Sequence, residues 1–339
     1  MIWIVPIEPI DQRYTKQWYE NIPKDLDRLK IPNRTIGDPV VSGTTTGAFL
    51  NFSFTNKYKA KQVQQIADLF SMKQVTPGDK FLVTDAWNFA ITTIRYMSDL
   101  LDIPVEIHGI WHAGNYDPSD ILGMKMTGVW ASDTERGWYH ACDYNYFATE
   151  FHKDMFLRNL NIPKEHQHKA HRSGQSHEAI ILPLLAYVTE PKKDIVVFPH
   201  RYNADKQPEI AEQLNLVITQ KMNLNKQDYY QLLGSAKALF SCALHENLGI
   251  SMMEGCLAGA IPIVPDRCSY SEMYLKQFKY PSQWTSSLEN FHLYEKEVID
   301  FIDDKVVNYK SYLDDLEEQR GILITKYLQP TLMYRNLMR

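Results

Sequence analysis

The stretch HENLGISMMEG (residues 245–255) sets two carboxylates, Glu246 and Glu254, eight positions apart, with Gly249 between them. It follows ALFSCAL (238–244), an apolar run that reads as a buried strand, so the stretch itself reads as a turn entering a helix. The first N–H groups of a helix have no internal partners and favour an anion such as phosphate, and a glycine there lets a ligand approach the backbone closely. Glu254, one to two turns into the helix, is placed to take hydroxyls at one end of a ligand, and Glu246, in the turn, those at the other. Glycoside hydrolysis is the rival use of paired carboxylates. Eight helical steps separate the backbones by about 12 Å, against roughly 5 to 9.5 Å between the carboxyls of those enzymes. The pair therefore looks more like two hydroxyl clamps than an acid and a nucleophile, and a helix whose glutamates merely cap and solvate is the bland alternative.

A second cluster lies in FPHRYNADK (198–206), where Arg201 and Lys206 follow another strand end. Cations in that position neutralise a diphosphate, arginine in a bidentate manner and lysine as a point charge. Each alone is more often a solvated surface charge. Beside an anion-ready helix terminus in the same half of the chain, a nucleotide diphosphate becomes the better explanation.

The run HENLGISMMEGCLAGAIPIVPD resembles the glutamate–seven residues–glutamate motif of family 4 retaining glycosyltransferases, and FPHRYNADK resembles their donor-phosphate segment. The likeness is specific over roughly residues 194 to 275 and architectural elsewhere. It implies an α/β chain of the GT-B fold: two Rossmann-like αβα domains facing a central cleft, with a C-terminal helical segment packing back. It also implies Glu246 on the transferred sugar, Glu254 on the donor ribose, backbone at Asn247, Leu248 and Gly249 on sugar and phosphate, and Arg201 with Lys206 on the diphosphate. No metal or other cofactor is implied. The family has a glycine-rich turn after its first strand. This chain has EPIDQRYT there, and Gly43 and Gly47 of VSGTTTGAFLNFSFTN (41–56) stand as its substitute.

On the acceptor side, HGIWHAGNYD (108–117) offers His108 and His112, four apart and on one face of a regular strand. The resemblance implies a histidine near the sugar's reactive carbon. His112, nearer the loop, is the favoured one, with His108 and Trp111 beside it, although a strand histidine is more often a bonded core residue. Asp85, ending FLVTDAW, reads equally as an acceptor-side carboxylate and as a strand-end cap.

These residues need strands to position them. Expected strands are IWIVPI (2–7), FLVTDA (81–86), PVEIHGIW (104–111), YNYFAT (144–149), IVVFPH (195–200), part of AEQLNLVITQ (211–220), ALFSCAL and IPIVPD (261–266). Helical patterns at 57–70, 88–101, 227–236, from about 248, and near 271–278 alternate with them, as in a parallel sheet with crossover helices. Pro183, Pro191 and two lysines in LPLLAYVTEPKKD (182–194) interrupt the pattern. They predict an acceptor-binding domain over 1–183 and a donor-binding domain with C-terminal helices over 184–339.

A chain of 339 residues, 44% hydrophobic and 23% charged, fits two folded domains of this kind. Its net charge of −5 excludes a globally basic nucleic-acid binder while leaving room for a local basic face. Four scattered cysteines without a CxxC pair predict reduced thiols and a cytoplasmic location, that of the host if the chain is phage-encoded. The start, MIWIVPIEPIDQRYT, reads as a first strand, and no window has a membrane-spanning run of apolar residues.

The expected activity is retaining transfer of a sugar from a nucleotide diphosphate sugar, a UDP-sugar by preference. HKDMFLRNLNIPKEHQHKAHR (152–172) carries five basic residues against two acidic ones plus four histidines, and KYKAK (57–61) adds a second patch. With Trp87, Trp111 and Trp138 as stacking surfaces, these fit transient contact with a phosphate backbone. The compact chain is similar in this to phage enzymes that glycosylate hydroxymethylated DNA bases. A polysaccharide or lipid-linked acceptor is the enzymatic alternative. A nucleotide-sugar epimerase and a non-catalytic sugar-nucleotide binding protein are the further ones.

Overall fold

IWIV, KFLV and EIHGI are short runs covered on both faces, the pattern that a parallel sheet with helices on each side demands. The computed structural model describes residues 1–10, 14–37 and 51–339. Residues 11–13 of EPIDQRYT, and Gly43 and Gly47 with most of their loop, lie outside the described residues. The chain forms two compact units, Met1–His177 with Pro330–Arg339, and Glu178–Gln329.

The first unit runs β1 (Ile2–Val5), α1 (Tyr14–Arg28), β2 (Asn33–Thr35), α2 (Phe52–Ser71), β3 (Lys80–Val83), α3 (Ala90–Leu100), β4 (Glu106–Ile110), α4 (Ile121–Lys125), α5 (Val129–Ala141), β5 (Tyr144–Phe147), α6 (Glu150–Asn159) and β6 (Ala170–Arg172). Its six strands are all parallel, in the order β2-β1-β3-β4-β5-β6. Alternation along β1 sends Trp3 and Val5 to one core and Ile2 and Ile4 to the other.

The second unit runs α7 (Glu178–Leu185), β7 (Lys193–Phe198), α8 (Pro208–Gln213), β8 (Val217–Ile218), α9 (Lys226–Ser235), β9 (Ala236–Phe240), α10 (Ile250–Leu257), β10 (Ile261–Pro265), α11 (Tyr270–Met273), β11 (Lys279–Tyr280), α12 (Leu288–Leu293), α13 (Glu295–Val307) and α14 (Leu313–Leu323). Its sheet, also parallel, has the order β11-β10-β9-β7-β8. The chain then returns to the first unit as α15 (Thr331–Met338), whose Met333, Tyr334 and Leu337 complete the core holding Trp18 and Ile110.

The 183/184 division expected from the prolines falls inside α7, which belongs whole to the second unit. Pro183 is accommodated in that helix, and the last ten residues, Pro330–Arg339, belong to the first unit. Among the described residues, no helix is long and apolar enough to cross a membrane.

Candidate active site

In the second unit the candidate residues gather at the carboxyl ends of β7 and β9. Gly249 is the residue before α10 and has φ 76°, in the left-handed region. A Cβ there would lie 2.6 Å from the ring of buried Tyr270 and 3.2 Å from Glu246 Cγ, so space and backbone both require glycine. The Gly249 N–H donates to Glu246 Oε1 at 3.0 Å, and Glu246 Oε2 accepts from Lys206 Nζ at 3.1 Å. Lys206, itself buried, also donates to Asp205 at 3.0 Å and to the His245 carbonyl. Burial, the largest influence, pushes the Glu246 carboxyl up, but the Lys206 charge and hydrogen bond together with the neighbouring His200 and His245 outweigh it and hold the group at about 2. Burial likewise pulls the Lys206 ammonium down, and Glu246 with Asp205 reverse the direction to a net rise. Both groups are thus ionised.

Behind them, buried His200 bonds Ser241 Oγ at 2.7 Å; burial, then the charge of Lys206, bring its pKa down to about 3, so it is neutral. Arg201, at the end of β7, is exposed and makes no ion pair among the described residues. Asn247 and Leu248 complete the turn, Leu248 buried.

Glu254 lies buried in the second turn of α10. Its Oε1 accepts from Lys226 Nζ at 2.7 Å and Tyr230 OH at 3.3 Å, and its Oε2 from Tyr229 OH at 3.2 Å. These three α9 residues escape sequence reasoning; the only local signal is a tyrosine pair just inside a helix capped by Asn225. Arg267 escapes it too. Its guanidinium donates to the carbonyls of Cys242, Ala243, Ser282 and Thr285 and fixes the chain leaving β9.

In the first unit, polar residues cluster at the carboxyl ends of β1, β3 and β4. His112 Nε2 donates to the Thr84 carbonyl at 2.8 Å, which leaves Nδ1 to accept from Gln175 Nε2 at 3.2 Å. Gln175 Oε1 in turn accepts from His177 Nε2 at 3.2 Å. Burial holds the His112 imidazole below its ordinary pKa, and its ring packs on Trp18 at 5.1 Å. Asp85 is buried in an ion pair with Lys59 at 2.7 Å and accepts the Trp87 N–H at 3.3 Å. Glu8 accepts from Thr55.

Two acceptor-side expectations are corrected. His108 is wholly buried, bonded to Tyr146 OH at 3.0 Å and Glu106 at 3.3 Å and stacked on Tyr144. Trp111 is wholly buried, its indole donating to Asn145 at 2.8 Å. β4 is a central strand covered on both faces, so toward its carboxyl end only residues beyond the strand reach a surface. Trp138 is buried as well, and His152 bonds Tyr116 OH at 2.7 Å inside the unit. The basic segment is divided between the two ends of the sheet: Lys153 and Arg172 both face Glu150 at the carboxyl end. Lys169 donates to the carbonyls of His140 and Cys142, both at 2.9 Å, just before β5. That is the amino end of the sheet, about 15 Å of strand away from the carboxyl end where His112 lies.

No protein-family model matches the chain. The structure superposes on the sucrose-phosphate synthase of Thermosynechococcus elongatus with a TM-score of 0.60, over 99% of this chain and 98% of that one, at 10% identity. This is the GT-B fold. TarM of S. aureus, solved as a point mutant in complex with UDP, gives a TM-score of 0.53 at 12% identity over 80% of this chain and 57% of that one. In sequence the chain is similar to ORF330 of Acidianus filamentous virus 2, which is named as a glycosyltransferase (21% identity over 123 residues, 36% of this chain). It is also similar to the tRNA-queuosine alpha-mannosyltransferase of Drosophila melanogaster (31% over 84 residues, 24% of this chain). The matched stretches span only 37% and 22% of those two relatives. Among the described residues of this GT-B chain, no group of three or more His, Cys, Asp or Glu is placed to hold a metal ion.

Proposed function

We propose that the chain is a retaining glycosyltransferase that moves a sugar from a UDP-sugar to a hydroxyl on a nucleic-acid base, a hydroxymethylated base of DNA being the acceptor to test first. The observation that carries the donor half is the Gly249 turn, where Glu246 is held ionised by Lys206 at the mouth of α10. Lys206 has three N–H donors, and His245, Glu246 and Asp205 take all three. Its part is therefore to aim Glu246 at the sugar, while exposed Arg201 and the free N–H groups of the α10 terminus meet the diphosphate. Glu254 takes the ribose.

As the bond from the anomeric carbon to the diphosphate breaks, negative charge grows on the leaving oxygens. Donors already in place stabilise that charge more than they stabilise the ground state. The acceptor hydroxyl bonds to the same carbon from the face the diphosphate leaves, and its proton passes to a phosphate oxygen. His112, neutral and with both ring nitrogens engaged, acts by shaping the acceptor side and not as a base. No metal enters this scheme.

Similarity to an enzyme named for modifying a tRNA base supports a base acceptor, and similarity to a viral chain supports a phage-like setting. A specific observation favours a second reading. ILGMKMTGVW (121–130), beside the His112 loop, has none of its residues buried, with Met124, Val129 and Trp130 well exposed, as a lipid-linked acceptor would use.

The test begins with thermal shifts on UDP, GDP, ADP and their sugars, where ligand at 100 times its Kd adds about 2.7 kcal/mol. Transfer to hydroxymethylated DNA and to a lipid-linked sugar follows. Arg201→Ala and Glu246→Ala are each expected to lower turnover by roughly a hundredfold or more; near-normal rates in either would end the assignment. Conversion of the donor into another nucleotide sugar without any acceptor would point to the epimerase, and donor binding without release of UDP to the binding protein.

A further inference from the structure

The loop HAGNYDPSD (112–120) leaves His112 and passes over a carboxylate that the scheme above does not use. Glu135 of α5 is wholly buried. Its Oε1 accepts the Asn115 N–H at 2.5 Å and the Trp87 indole N–H at 2.9 Å, and its Oε2 accepts the Tyr116 N–H at 3.0 Å. One side chain thus ties together the loop after β3, which carries Asp85, and the loop after β4, which carries His112. The approach is close. A Cβ on Gly114 would lie 2.6 Å from Glu135 Oε1.

We propose that Glu135 is a positioning residue for the acceptor, latching the two loops beside Asp85 and His112 in its ionised form and releasing them when protonated. The proposal rests on the reading that the first unit takes the acceptor. All three donors point at carboxylate oxygens. A proton on Oε1 competes with Asn115 and Trp87, which already fill that oxygen's two lone pairs, and one on Oε2 takes its second lone pair and leaves the Tyr116 N–H a neutral, weaker acceptor, so protonation at either oxygen loosens the latch.

The balance of groups around the latch lets it switch near neutrality. Burial pushes the Glu135 carboxyl up to about 7, with Asp120 adding to the rise and the three N–H donors opposing it. The other ionisable groups facing this pocket are Asp117 and Tyr116 of the same loop, His152 of α6 on the Tyr116 hydroxyl, and the Lys59–Asp85 pair.

The experiment follows the Asn115 and Tyr116 amide protons by NMR against pH, alongside acceptor kcat/KM. In the wild type both amides are expected to titrate with a midpoint near 7, and kcat/KM for the acceptor to rise through the same range. In Glu135→Gln the amide step vanishes and acceptor kcat/KM falls roughly tenfold to a hundredfold. UDP affinity measured at each pH stays that of the wild type. Trp87→Phe, which removes one donor and leaves the carboxyl, is expected to move the midpoint upward and covers the case in which Glu135→Gln does not fold. Amides that do not titrate, a midpoint that Trp87→Phe leaves in place, or an acceptor kcat/KM indifferent to Glu135→Gln would overturn the proposal. If the wild type transfers no sugar at all, the proposed function falls on that result, and the amide titration still decides the latch.

Discussion

A carboxylate accepts about four hydrogen bonds, and Glu254 already receives three, from Lys226, Tyr229 and Tyr230. In the proposed role of Glu254, a ribose brings two hydroxyls to one remaining place, so a resident donor must leave. Lys226 is the most exposed of the three, its side chain 41% exposed against 8% for Glu254, so it is the donor that solvent replaces at least cost. Lys226→Ala is therefore expected to tighten UDP by about two- to fivefold. A 2′-deoxy nucleotide, which needs no displacement, should bind both proteins alike. Calorimetric titration of the two nucleotides decides the matter, and weaker UDP binding in the variant would show that Lys226 stays and helps. At this scale the sequence was partly legible. Glu246, Arg201 and Lys206 stand out because charges shortly after apolar runs lie near strand ends, and Glu254 through its spacing from Glu246. Lys226 and its tyrosines meet Glu254 only through the fold, from 24 to 28 positions away. His108 and Trp111 were misplaced for the converse reason: alternation tells which face a residue takes, not whether a helix covers that face.

The α10 element depends on one backbone geometry. Gly249 precedes the helix at φ 76°, against Tyr270, which is buried and meets the Tyr274 ring edge to face. Gly249→Ala meets two costs, left-handed strain of about 1 kcal/mol and a 2.6 Å contact with a ring that has no room to retreat. The expected loss is about 2–4 kcal/mol in urea denaturation, accompanied by weakened nucleotide binding as Glu246 loses the Gly249 N–H. Unchanged binding despite lost stability would separate the turn from the ligand. Strands with continuous apolar runs and helices with periodically spaced apolar residues were readable, which covers most of the central strands and the helices α2, α3, α9 and α10. β2 (NRT) and β6 (AHR) were not, being three-residue edge strands with little burial. Nor was α1, whose five buried side chains are spread through a polar helix containing Pro23.

At the scale of the whole molecule, the sequence announced helices in the tail but not their destination, because an amphipathic helix satisfies its apolar side against any complementary core. α15 returns to the first unit, where Tyr334 OH donates to Asp25 at 3.1 Å and Asn336 to Tyr146 OH at 3.2 Å. Tyr334 OH also bonds Ser176 at 3.2 Å, one residue from both Gln175 and His177. Gln175 is the bridge that engages His112. Ending the chain after Gln329 exposes the surfaces that Met333, Tyr334 and Leu337 cover, at about 1.5–3 kcal/mol for each large side chain. Asp25 and Tyr146 also lose partners. The first unit is expected to melt earlier in calorimetry, while the second, which keeps its whole core, retains its transition and its UDP affinity. Transfer to any acceptor should fall together with the first unit's transition, because the support of His112 goes with it. A truncated chain that loses UDP binding as strongly as transfer would mean that the last helix supports the nucleotide half too, and the division of labour between the two units would have to be redrawn.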